Sequence, residues 1–109
     1  MPDTRPTIST HVLDTGSGQP ASGVHVNCSL LTGDRVQAAG GGVTDPDGRI
    51  HDVLEGRKLV TGVYRLSFEL GADRFFEAIT VDLRIEDANR SYHVPLLVSP
   101  FGLSTYRGT

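Results

Sequence analysis

Two histidines, an arginine after a tight turn and a polar C-terminal tetrapeptide are the groups in this chain that could do chemistry. His93 interrupts an apolar run, Tyr92 to Leu97 (YHVPLL). His11 lies within Ile8 to Asp14 (ISTHVLD), and Arg49 follows the turn Asp45 to Gly48 (DPDG). The chain ends Tyr106-Arg107-Gly108-Thr109, placing a phenol, a guanidinium and a hydroxyl beside the terminal carboxylate. An imidazole exchanges its proton near neutral pH and can serve as a base or a hydrogen-bond partner. A guanidinium keeps its charge and suits carboxylates or developing anions. Taken singly, each has a plainer reading: His11 and His93 as half-buried residues bonded to backbone, Arg49 as a solvated hairpin residue. His25 and His51 lie beside polar or turn residues and are expected at the surface. The four histidines form no His-x-His or His-Glu-x-x-His pair, so no metal site is expected.

The elements that must position these residues are strands. Val24, Val26, Cys28 and Leu30 alternate with His25, Asn27 and Ser29. Tyr64, Leu66, Phe68 and Leu70 alternate with Arg65, Ser67 and Glu69, and Ile79, Val81, Leu83 and Ile85 with Thr80, Asp82 and Arg84. Period two describes strands with one face in a core and one in water. Turn residues separate the runs, as in Thr15 to Gly18 (TGSG) and Glu86 to Asn89 (EDAN). Strands are expected near 7–14, 22–31, 35–44, 62–70, 75–86, 91–98 and 103–107, with a short one near 50–54. No segment has sustained helical periodicity. An all-β antiparallel sandwich of two sheets follows, with seven to eight strands and little or no helix. The glycines at 40–42 mark a bulge, bend or close approach. Pro95 cannot donate to a ladder, so its strand is expected at an edge or with that position facing outward; an edge there would need cover, which hints at an oligomer.

Bulk properties bound the function. With 109 residues the chain forms one domain, 1–109, of which 1–6 is expected to be a flexible N-terminal tail. Apolar residues make up 38% and charged residues 21%, which argues against disorder. A net charge of −3 without a basic cluster argues against a nucleic-acid partner. No apolar run reaches membrane length, and the polar N-terminus lacks a signal-peptide core, so a cytoplasmic protein is expected with no membrane partner. Cys28, the single cysteine, is expected to be a small buried hydrophobe.

Three stretches together resemble the 5-hydroxyisourate hydrolases, the transthyretin-like enzymes of purine degradation. They are Ile8 to Asp14, Val43 to Arg49 (VTDPDGR), and Tyr92 to Pro100 continued by Ser104 to Thr109 (STYRGT). The intervening strands follow in order, so the resemblance covers essentially the whole chain. It implies a transthyretin-like sandwich and a homotetramer with sites between subunits. The implied activity is hydrolysis of 5-hydroxyisourate to 2-oxo-4-hydroxy-4-carboxy-5-ureidoimidazoline, with no metal or organic cofactor. His11, Arg49, His93 and Thr109 match the family's catalytic positions, and His11, Arg49, Tyr106 and Arg107 are implied to bind substrate. One histidine would accept a proton from water, His11 being preferred, while the other orients substrate or returns the proton. Thr109 replaces the usual serine, keeping the hydroxyl and adding a methyl. The connection 71–76 is shorter than usual, which should trim or remove a small helix. The alternatives are a non-catalytic transthyretin-like protein that binds a small ligand, and a plain structural module.

Overall fold

The computed structural model describes residues 5–108, all of them strand, turn or loop, in nine strands. These are β1 (Ile8–Asp14), β2 (Gln19–Pro20), β3 (His25–Thr32), β4 (Arg35–Val43), β5 (Arg49–Ile50), β6 (Gly62–Glu69), β7 (Ala78–Ile85), β8 (Tyr92–Val98) and β9 (Leu103–Thr105). One sheet runs β4-β3-β6-β7 and is antiparallel throughout. The other runs β2-β1-β8-β9, with β5 also paired to β1. Its ladders are antiparallel except the central one, where β1 and β8 lie parallel from Ile8↔Tyr92 to Asp14↔Val98. The connection 71–76 forms turns without a helix. Residues 1–4 of the expected tail lie outside the described residues, and Arg5 donates from Nη2 to Asp52 Oδ2 at 2.9 Å.

The alternation read from sequence decides which face each strand buries. Ile8, Thr10 and Val12 of β1 meet Tyr92, Val94, Leu96 and Val98 of β8 on the inner side. Val26, Cys28, Tyr64, Leu66 and Phe68 come from the opposite sheet to complete the core. Burial leaves Cys28 as packing and pushes its thiol pKa up to about 11. The hydroxyl of Thr10 is buried but satisfied, donating to the Val94 carbonyl at 2.6 Å. A bulge at Ala39 abuts the glycine run, and the run itself makes a close approach. The β3–β4 register slips between Cys28 and Ser29, and the Gly41 amide donates to the Val53 carbonyl of the neighbouring loop at 2.8 Å.

The expectation for Pro95 needs correction. Its strand is interior, flanked by β1 and β9, and Pro95 is buried. The Tyr92 amide and the Val94 carbonyl point to β1, whereas the His93 and Pro95 carbonyls point to the C-terminal segment. Pro95 therefore turns its missing N–H toward that segment, and the β8–β9 ladder ends one residue earlier, at Leu96↔Thr105. The Thr105 hydroxyl donates to the Pro95 carbonyl at 2.8 Å, and the Gly108 amide to the His93 carbonyl at 2.7 Å. Proline here marks a gap in a ladder that resumes beyond it, and cover for β8 comes from the chain's own strands.

Candidate active site

The outer face of the β1–β8 sheet gathers the histidines. Because residues paired across a ladder share a face, Ser9, His11 and Leu13 emerge beside His93, Pro95 and Leu97. On the other edge of β1, β5 places Arg49 opposite His11. A row Arg49–His11–Pro95 thus crosses three strands, with Ser9–His93 forming the next row. Neighbouring strands are about 4.8 Å apart and alternate residues about 6.7 Å apart along a strand. Those spacings bring both imidazoles within reach of the guanidinium. Residues distant in the chain meet because β1 is paired on both sides.

Arg49 is aimed by its turn. Asp45 Oδ1 accepts the amides of Asp47 and Arg49, each at 2.9 Å, and the Asp45 amide donates to the Arg49 carbonyl at 3.0 Å. The Arg49 amide is the main cause holding the Asp45 carboxyl below the usual range. Gly48 has φ +77°, and its carbonyl accepts from the Val12 amide of β1 at 2.7 Å. A Cβ there would lie 2.4 Å from the Val12 carbonyl oxygen, so only glycine lets the turn dock. Among the described residues, Arg49 makes no salt bridge.

His93 is half-buried, and Ser9 Oγ lies 2.8 Å from its Nδ1. Burial lowers its pKa below 6.5, and the charges of Arg49 and His11 act in the same direction. A neutral imidazole beside an available guanidinium can take a proton from water while negative charge builds nearby.

The remaining candidates divide. Gly108 sits against the His93 ring: a Cβ on it would lie 2.8 Å from His93 Cδ2 and 3.3 Å from Pro95 Cγ. Tyr106 and Arg107 line a groove of about 380 Å³ with Val81, Leu83 and Val94, and none of His11, Arg49 and His93 borders it. Thr109 lies outside the described residues. His25 and His51 are exposed, with His51 Nε2 3.8 Å from Asp45 Oδ2. Ser9 is a site residue that no sequence motif singles out. Its only signal is that it shares His11's outward face, and its value depends on β8 being the neighbour.

The model of the HIUase/transthyretin family matches residues 8–108. The chain belongs to that family. It is 41% identical to a 5-hydroxyisourate hydrolase of Halalkalibacterium halodurans, an alignment covering 94% of this chain and 97% of the relative. The solved 5-hydroxyisourate hydrolase of Klebsiella pneumoniae superposes with a TM-score of 0.81 at 35% identity, covering 94% of this chain and 99% of the other. Sea bream transthyretin, solved in complex with thyroxine, superposes with the same TM-score at 30% identity, covering 92% of each chain. Backbone shape alone therefore does not separate the hydrolase from the carrier; side chains must.

Proposed function

We propose that this protein hydrolyses 5-hydroxyisourate, opening its six-membered ring to yield 2-oxo-4-hydroxy-4-carboxy-5-ureidoimidazoline. The observation that carries the reading is the row Arg49–His11 beside His93, with a guanidinium that makes no salt bridge among the described residues. The relatives named as 5-hydroxyisourate hydrolases, at 38% and 41% identity over nearly their full lengths, support the substrate.

The roles follow from the chemistry. Sequence alone prefers His11 as the base; the lowered pKa of His93 and the contacts that hold its ring move that role to His93. Neutral His93 takes a proton as water attacks the ring carbonyl carbon, forming a C–O bond and placing negative charge on the carbonyl oxygen. Arg49 stabilises that oxygen. Collapse breaks the C–N bond, and the proton returns to the leaving nitrogen through His93 or His11, leaving a carboxylic acid and the terminal NH2 of the ureido group. No metal or organic cofactor enters these steps. Thr109, through its hydroxyl, orients substrate in the same proposal, and Tyr106 and Arg107, which line a separate groove of their own subunit, bind it from a neighbouring subunit.

The site lies on an open sheet face where Leu13 and Leu97 are only half-buried. A second subunit laid over this face would enclose the substrate and exclude water, which supports a homotetramer with sites between subunits. A cytoplasmic location belongs to the same proposal; among the described residues no helix is long and apolar enough to cross a membrane.

The test is to add purified protein to freshly prepared 5-hydroxyisourate and follow its ultraviolet absorbance. Catalysed decay is expected. Decay at the spontaneous rate, with tight binding of a urate-like ligand, would instead identify a carrier.

A further inference from the structure

The ring of His93 is gripped on both flanks. Ser9 Oγ stands 2.8 Å from Nδ1 on one side. Gly108 closes the other, where even one added carbon would lie 2.8 Å from Cδ2. Nδ1 and Cδ2 are the two ring atoms bonded to Cγ, so these contacts hold the ring at its base. Cε1 and Nε2 remain as the outer edge. Nε2 is then the nitrogen that can meet a ligand, and whether it donates or accepts is decided by where the ring's single proton sits.

Building on the hydrolase reading, we propose that Ser9 is a positioning residue that keeps the proton of neutral His93 on Nδ1, so that Nε2 offers a lone pair to the attacking water. The parallel ladder sets Ser9 directly opposite His93, on the face that also carries His11. One strand thus supplies a histidine and the group that orients the other histidine. At 2.8 Å the Ser9 hydroxyl can either donate to Nδ1 or accept from it. Nε2, on the edge away from both contacts, can take a proton from water only if it is bare, so the hydrolase reading assigns the ring proton to Nδ1 and the accepting role to the Ser9 hydroxyl. Free histidine prefers its proton on Nε2. Without Ser9 the ring would drift toward the form that has no lone pair to offer.

The experiment is nitrogen-15 labelling of the histidines in the full chain, read by long-range proton–nitrogen correlation above the His93 pKa. The wild-type protein should show Nδ1 protonated and Nε2 bare. Ser9→Ala should move His93 toward the Nε2-protonated form and lower kcat about tenfold, with KM little changed. Ser9→Thr, which restores a hydroxyl, should recover both readouts. An Nε2-protonated His93 in the wild type, or an unchanged His93 spectrum in Ser9→Ala, overturns the proposal. If Ser9→Ala does not fold, the wild-type and Ser9→Thr spectra decide. Failure of the hydrolase reading is separable: no turnover with Nδ1 protonated sinks the activity alone, and turnover with Nε2 protonated sinks the role of Ser9 alone.

Discussion

Both sheets turn polar residues outward, and the two faces treat charge in opposite ways. Across β6 and β7, Arg65 donates from Nε and Nη2 to the two carboxylate oxygens of Asp82 at 2.8 and 3.0 Å. The next same-face rung pairs the hydroxyls of Ser67 and Thr80 at 3.0 Å. Arg65 holds the Asp82 carboxyl below its ordinary range, and Asp82 raises the Arg65 pKa in return. Across β5, β1 and β8, the cation instead faces imidazoles. A cross-strand carboxylate cancels an arginine and leaves an inert polar surface. The charge of Arg49 disfavours protonation of the His93 imidazole, and an imidazole leaves the guanidinium available to an anion that forms later. The same rung-by-rung geometry yields a solvated face in one sheet and a reactive one in the other; the difference is that the cross-strand partner of Arg65 is Asp82, whereas that of Arg49 is His11.

The sharpest way to break this contrast is to remove each arginine in turn. Arg49→Ala should lower turnover of 5-hydroxyisourate by a hundredfold or more, on the order of a lost oxyanion partner, while Arg65→Ala leaves it unchanged. Equal losses in the absorbance assay would mean that both arginines act only through the fold. A smaller effect, about tenfold, is expected for Gly108→Ala, because its methyl must displace the His93 ring. Unchanged circular dichroism together with wild-type kcat would show that the ring is not held from that side. The subtlest measurement is the titration of His93 by nuclear magnetic resonance. Its midpoint should fall below 6.5 and rise toward that value in Arg49→Gln. The linkage sign follows: the unfolded ring takes a proton more readily than the folded one. This residue therefore costs the fold nothing above 6.5 and destabilises it as pH falls below that value.

Faces were far more legible in the sequence than neighbours. Period-two alternation located the long strands and assigned inward and outward positions, because burial on one side imposes that pattern directly. The same alternation is silent about which strand lies beside which. Nothing in Ile8 to Asp14 announces a parallel partner at the far end of the chain, so Ser9 gave no sign of its contact with His93. Gln19 and Pro20 form a strand only by pairing with Asp14 and Leu13, too short to show a period. The short strand expected near 50–54 is Arg49–Ile50, after which the Val53 amide donates a hydrogen bond to the Ile8 carbonyl of β1 at 2.8 Å. His11, Arg49 and His93 were legible through family resemblance, and the structure brings them together. It places Tyr106 and Arg107 along a separate groove, which no motif could indicate.

The parallel ladder also sets the order in which the molecule can be built. Strands β3 and β4, and likewise β6 and β7, are consecutive antiparallel pairs that can form as they leave the ribosome, and the β3–β6 ladder joins them. Strand β1 is made before all of them, yet its long partner lies 84 residues downstream. Loop-closure entropy makes such a non-local pairing slow, and until it forms one edge of β1 stays open to the wrong strand. The reactive face is thus the last part of the protein to come into being. A chain interrupted before Tyr92 carries every strand of the inert sheet and lacks His93.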